Sequence, residues 1–317
     1  GADTFRVVKI HDLIFRFRIV FILLFSTTLG VAYPDIGIIL ESLILPFVAV
    51  LVFVSLNTIE IDNASSLLGQ LKLRSVAMGV FGVLIAWAIL PVVGLSIGVL
   101  LLSPEALTAV LIILSAPTTA GSALVWSRLS DSSIALTGSI TALTIMLSPL
   151  ITPFILTFSL SDQVAIQPIS ILIDLFLVVG GGVVLHIVVP DKVRTSTVLD
   201  RVSIFVVVLL IYIAISTSGV SGVDIHTISR VFLHSIAVLS ISLIVSSAGV
   251  RLIGGGRPQS TGVFFGSTMK NLGIAVAITT TIQISGLVVV IVIFYITQQL
   301  FAGVIIGGVE IRQTNQS

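Results

Sequence analysis

Apolar residues run through this chain in blocks of about 20, and polar residues gather in the short gaps between them. A helix rises about 1.5 Å per residue, so a block of this length crosses the roughly 30 Å hydrocarbon core of a bilayer. Ten blocks are legible, at residues 14–33, 36–57, 74–102, 105–129, 133–159, 167–189, 199–218, 229–253, 259–283 and 286–309. The gaps carry turn formers and charges: Tyr33-Pro34-Asp35, Glu60 to Lys72, Ser103-Pro104-Glu105, Ser130-Asp131, Asp162, Pro190 to Arg194, Gly219 to Asp224 and Gly254 to Pro258. The pattern predicts an all-α integral membrane protein with ten transmembrane helices.

Two blocks are interrupted. Span four holds Ser115-Ala116-Pro117-Thr118-Thr119-Ala120-Gly121-Ser122, and a proline among small hydroxylated residues breaks a helix. Span nine holds Gly266-Ser267-Thr268-Met269-Lys270-Asn271-Leu272-Gly273. Ten spans divide into two fives, residues 1–160 and 161–317, joined by Asp162 to Gln167. The interruption falls in the fourth span of each half. Five spans per half place the halves in opposite orientation, so the expected architecture is an inverted repeat. Its paired broken helices point to a transporter site near the bilayer midplane.

Charge sharpens the topology. Only 9% of residues are charged, against roughly 25% in a soluble domain, so no part of the chain reads as a separate soluble domain. With the N-terminus inside, the inner segments hold Arg6, Lys9, Arg16, Arg18, Lys72, Arg74, Arg128, Lys192, Arg194, Arg201, Arg251, Arg257 and Arg312, and the outer segments hold only Arg230. That asymmetry is the positive-inside rule, and it predicts both termini on the cytoplasmic side of a plasma (inner) membrane. Residues 1 to 13 lack the apolar core of a cleavable signal peptide. The net charge of +1 suggests no nucleic-acid partner, and the absence of cysteine excludes disulfides and thiolate chemistry.

Lys270 is the one basic residue left inside a span. A charge there costs about 2.5–3.5 kcal/mol on insertion scales, so it is expected in a polar cavity rather than against lipid. It reads as a fixed charge or as a group that exchanges a proton where two broken helices cross. Pro117, Thr118, Thr119 and Ser122 read either as small residues lining a close helix contact or as part of the same site. Asp174 lies about two turns inside span six, facing water at the interface or serving as a cavity carboxylate. His186 and His234 sit near span ends and read as interfacial. Gln298 and Gln299 diverge by about 100° on a helix, so one can face the core while the other faces elsewhere. Trp87 and Trp126 read as packing or interface anchors. No Walker motif, His-Glu-x-x-His or nucleophile elbow is present, and no cofactor is expected.

These interrupted spans resemble the bile acid:sodium symporter family over nearly the whole chain. The likeness rests on Ala116-Pro117 through Ser122, Ala135-Leu136-Thr137, Ser148-Pro149-Leu150-Ile151-Thr152-Pro153, and Met269-Lys270-Asn271-x-Gly273-Ile274-Ala275, with Pro91 in span three and Tyr33-Pro34 closing span one. Arsenite- and auxin-efflux carriers share the architecture, but the arsenite carriers rely on a cysteine that this chain lacks. The resemblance implies a core domain of spans three to five and eight to ten, and a panel domain of spans one, two, six and seven. Substrate would bind between them by the crossover. It also implies two sodium ions behind that crossover, yet the expected ligands are replaced. The ninth-helix Glu falls on Gly266, the motif's Gln on Lys270, the fourth-helix Asn on Ala123, and the third-helix Gln, five residues before Pro91, on Ala86. Ser122, Thr137 and Thr141 match hydroxyl positions.

The economical reading is that the Lys270 ammonium takes the place of a sodium ion, bonding the freed carbonyls and hydroxyls there, with Ser267 nearby. Asn271, Gln298, Gln299, Thr118 and Thr119 are the expected substrate-binding residues. Free amides at broken helix N-termini suit an organic anion. The expectation is a sodium-independent secondary transporter of a small organic anion, working in the lipid bilayer by alternating access, with protons as a candidate coupling ion. A cation/proton antiporter, which needs a buried aspartate pair, and a non-transporting membrane sensor or binding protein are the rivals.

Overall fold

The computed structural model describes residues 10–59, 73–160, 167–194, 197–220, 223–282 and 284–314. Arg6 and Lys9, the Glu60 to Lys72 connection, Asp162 with most of the central connection, and residues 221–222 of the Gly219 to Asp224 turn lie outside the described residues. The described chain is helical: α1 (Ile10–Ala32), α2 (Pro34–Ile39), α3 (Ile44–Thr58), α4 (Leu73–Leu84), α5 (Leu90–Leu101), α6 (Pro104–Ser115), α7 (Ala120–Leu129), α8 (Ile134–Leu160), α9 (Pro168–Val188), α10 (Asp191–Arg194), α11 (Thr197–Ser218), α12 (Ile225–Leu252), α13 (Arg257–Thr268), α14 (Leu272–Thr279) and α15 (Leu287–Thr314). A π-turn at Ile85–Ile89 joins α4 to α5 in one rod.

Helix starts follow local chemistry. Proline occupies the first turn of α2, α6, α9 and α13, where an N–H would have no helical partner. Ser103 caps α6 by accepting from the Ala106 N–H, and Asp224 caps α12 by accepting from the Thr227 N–H. Inside α8, Pro149 cannot donate to Ile145, and the Ser148 hydroxyl donates to that carbonyl instead (2.8 Å).

Seven described helices are long and apolar enough to cross a membrane, including α8, α9, α12 and the α4–α5 rod. The expected spans four and nine fail that test because each is two shorter helices, α6 with α7 and α13 with α14. Large apolar side chains face outward, among them Leu100, Phe154, Phe158, Phe176, Ile187 and Phe205. A water-exposed surface would not carry so many, and lipid accounts for them.

Packing brings the basic loops together. Arg74 lies against the turn at Gly254, whose φ of +89° only glycine adopts easily. The turn after α7 reaches Pro258 through the Ser133 N–H (2.9 Å), so Arg74, Arg128, Arg251 and Arg257 share one end of the fold. Asn57 donates to the Arg194 carbonyl (2.7 Å), joining the ends of α3 and α10, and Arg194 pairs with Asp191. α3 packs along α9, and α1 along α11. α13 is enclosed by α8, α12 and α7.

Candidate functional site

The two interruptions meet in space. At the first, Ala116 and Thr119 adopt extended backbone (ψ 151° and 131°), so α6 stops and α7 restarts four residues later. At the second, Met269 (ψ 82°) and Asn271 (ψ 105°) open the chain between α13 and α14. Thr118 and Lys270 face each other in an antiparallel bridge. Its two bonds run from the Thr119 N–H to the Met269 carbonyl (2.7 Å) and from the Asn271 N–H to the Pro117 carbonyl (2.8 Å).

Other polar groups released by the breaks also find partners, as buried backbone must. The Thr118 N–H donates to the Thr144 hydroxyl (3.2 Å), and the two threonine hydroxyls bond at 2.7 Å. The Ser115 carbonyl accepts from Trp87 Nε1 (3.1 Å) and the Thr152 hydroxyl (2.9 Å). The Lys270 N–H donates to Gln298 Oε1 (3.0 Å). Asn271 caps α14, its Oδ1 accepting from the Ile274 N–H (3.1 Å), whereas Thr119 offers α7 no side-chain cap.

The Lys270 side chain is fully buried. Its Nζ donates to the Ala86 carbonyl (2.8 Å) and the Ala116 carbonyl (3.1 Å). Both acceptors are free for a stated reason. In a regular helix Ala86 would accept from Leu90, but in the π-turn the Leu90 N–H goes to Ile85, and Pro91 has no N–H to give. Ala116 would accept from Ala120, but the extended backbone turns its carbonyl aside. α6 and α13 both end here, so two helix C-termini, each about −0.5 charge, face the lysine. No carboxylate pairs with it among the described residues.

The family model for the SBF-like CPA transporter family matches residues 18–309. The chain belongs to this family. It is thus a member of a transporter family, and with its long apolar helices a multi-pass membrane protein. No curated protein matches the sequence significantly.

Around the crossing of this SBF-like chain lies a second polar set that its sequence indicates only partly. Gln298 and Gln299 are both buried, with different partners: Gln298 holds the Lys270 N–H, and Gln299 Oε1 accepts from Trp126 Nε1 (2.7 Å). Their divergence on the helix thus sends the two amides to different partners, both inside the fold. Trp126 joins a hydrogen bond as well as packing. The Tyr295 hydroxyl lies beside Ser122 and Gln299, so Ser122 and Trp126 on α7 face Tyr295 and Gln299 on α15 at matched i, i+4 spacing. The Gln298 Nε2 has no hydrogen-bond partner among the described residues.

The hydroxyls expected at the ion site do not bond Lys270. Thr137 is bonded to Ser127 (2.9 Å), the Ser133 carbonyl (3.1 Å) and the Gly262 carbonyl (3.1 Å). Ser267 donates within α13 to Val263 (2.8 Å), and the Thr141 hydroxyl is buried without a partner among the described residues. Ala123 lies in an apolar cluster with Trp126, Phe264 and Phe265. At Gly266 α13 approaches α8 so closely that a Cβ would sit 3.1 Å from both the Ile140 Cβ and the Thr137 carbonyl oxygen. No side chain fits there without movement. Asp174 accepts from the Thr281 hydroxyl (3.0 Å), beyond the C-terminus of α14. His186 meets Arg194 Nη1 (3.0 Å), and His234 is buried with Nε2 at the Gly94 carbonyl (2.9 Å) rather than interfacial.

The sequence pointed to freed carbonyls as partners of the lysine but not to which ones, and they are the main-chain carbonyls of Ala86 and Ala116. The available signal was Pro91, which strips a donor from the turn carrying Ala86. Thr144, Thr152 and Tyr295 carried no signal beyond being polar residues in apolar spans.

Proposed function

We propose that this protein is a sodium-independent secondary transporter of an organic anion, with the Lys270 ammonium serving as a built-in cation at the helix crossing. The observation that carries the reading is the pair of carbonyl bonds from Lys270 Nζ to Ala86 and Ala116 in a fully buried site. A metal ion would draw on the same freed carbonyls, and two helix C-termini supply the negative potential. The close approach at Gly266 argues in the same direction, since a carboxylate side chain there would have to push α8 aside.

The architecture we infer is the ten-helix inverted repeat of residues 1–160 and 161–317. Its core comprises α4–α8 and α12–α15, and its panel α1–α3, α9 and α11. The pairing of α3 with α9 and α1 with α11, apart from the enclosure of α13 by α7, α8 and α12, supports that division. The gathering of arginines at one end supports cytoplasmic termini in a plasma membrane. Alternating access is then rocking of core against panel. The anion binds by the crossing, near half-buried Thr119 and exposed Gly121 at the uncapped N-terminus of α7. Asn271, Thr118, Gln298 and Gln299 shape that region. A cation/proton antiporter needs a carboxylate at the crossing, whereas Asp131 is exposed in the turn after α7 and Asp174 serves Thr281.

The test is flux of candidate carboxylates and sulfonates into proteoliposomes, with sodium replaced by choline at constant ionic strength. Equal flux is expected, and flux that rises steeply with sodium overturns the proposal. An imposed pH gradient then separates a fixed charge from a cycling proton. Two donated bonds use every N–H of a neutral amine but only two of the three on an ammonium. A fixed lysine leaves flux independent of the gradient.

A further inference from the structure

A cavity of about 480 Å³ opens where α11 and α14 end and α3 begins. Its polar lining is Glu41, Thr217, Ser218, Thr279, Thr280 and Ser285, and among the described residues no lysine, arginine or histidine lines it. The hydroxyl protons are mostly spent elsewhere. Thr217 donates to the Ile213 carbonyl (3.0 Å), Thr279 to Val276 (2.7 Å), Thr280 to Ala277 (2.7 Å) and Ser285 to the Ser218 carbonyl (3.0 Å). These four side chains therefore present lone pairs to the cavity, and only Ser218 keeps an uncommitted hydroxyl. The Glu41 carboxylate, which makes no ion pair among the described residues, adds a charged acceptor.

The electrostatics agree with the hydrogen bonding. α11 ends at Ser218 and α14 at Thr279, while α3 begins at Ile44 and α15 at Leu287, so helix ends of both signs meet at the cavity and the carboxylate sets its sign. Asp174, held by Thr281 just past α14, adds a second carboxylate nearby. A guest that fits must bring donors and positive charge. The volume falls in the range of small-molecule pockets and holds roughly 16 waters at about 30 Å³ each, far more than one metal ion needs.

We propose that this cavity is a binding site for an organic cation that carries N–H donors, a primary ammonium or a guanidinium. The site is separate from the helix crossing and does not rest on the anion reading. A guest in it touches α11 and Glu41 on one side and α14 on the other.

The experiment is equilibrium binding of radiolabelled n-butylguanidinium and n-hexylammonium to the purified full chain in lipid nanodiscs. Saturable binding is expected, with tetramethylammonium, which has no N–H, failing to compete. Glu41→Gln is expected to weaken binding by about 10- to 100-fold, the worth of a hydrogen bond to a charged group. Thr280→Val, which keeps shape and removes an acceptor, is expected to weaken it several-fold. Unchanged melting temperatures of both variants certify the fold. No saturable binding, equal competition by tetramethylammonium, or full affinity in Glu41→Gln overturns the proposal. Anion flux without amine binding removes this site and leaves the transport reading; amine binding without anion flux does the reverse.

Discussion

The two broken helices perform the same turn with different chemistry. The first break is made by proline: Pro117 has no N–H, and the extended backbone on both sides leaves the Ala116 carbonyl free. The second contains neither proline nor glycine between Thr268 and Leu272. It is held open by what its side chains do, with Lys270 reaching the Ala86 and Ala116 carbonyls and Asn271 capping α14. Their main chains exchange one bond in each direction, and beyond that the first leaves a carbonyl free and the second supplies the ammonium that reaches it, so each is incomplete without the other. A buried polar interruption need not satisfy itself when a partner of opposite hydrogen-bonding character crosses it.

The largest effect tests that dependence. Lys270→Met removes the donor to two carbonyls that no other N–H is placed to reach, at about 1–3 kcal/mol for each orphaned group. A large fall in melting temperature in detergent is expected, together with loss of flux at every pH. A melting temperature near the parent's would mean that the first break finds donors elsewhere. Gly266→Ala comes next. Its Cβ meets α8 backbone and Ile140, so a loss of about 1–3 kcal/mol is expected, and a neutral result in chemical denaturation would show that α13 can move off α8.

A paired substitution isolates the caps. Asn271→Ala removes a side-chain bond to the Ile274 N–H and is expected to cost about 1 kcal/mol, with faster amide exchange at the start of α14. Thr119→Ala removes no cap bond from α7 and is expected to lie within about 0.5 kcal/mol of the parent. Equal costs would erase the distinction between the two restarts. The smallest effect concerns the exposed cap of α12. The Thr227 N–H holds the Asp224 carboxyl below its ordinary value of 3.8. Its contribution is therefore complete above that value and is lost as pH falls through the lowered one. Asp224→Asn is expected to remove this acid dependence while keeping the cap, read as melting temperature against pH.

Much of this was legible in the chain. Apolar blocks and their gaps gave the helices to within a few residues, because length and hydropathy alone decide what can cross a bilayer. Pro117 marked one break, and Lys270 among apolar neighbours marked the other. That Lys270 bonds freed carbonyls was legible, but which carbonyls was not, since alanine side chains say nothing about whether their carbonyls are free. Nor were the roles of Thr137 and Ser267. Both are hydroxyls at plausible ion-site positions, and both spend their protons on nearby main chain or hydroxyls. Asp174 read as an interface residue or a cavity carboxylate, and packing gave it the Thr281 hydroxyl.

The sequence by itself determined that the chain is helical, that it lives in a membrane, and that two spans are interrupted. Those properties follow from local composition, which sets helix length, hydropathy and the loss of N–H donors. Only the tertiary structure decided that the interruptions pair, that two alanine carbonyls receive the lysine, and that α13 and α8 close over Gly266. Each of these depends on distances between segments separated by 100 residues or more. A hydrogen bond needs both partners within about 3 Å, and no local pattern in the chain encodes that meeting.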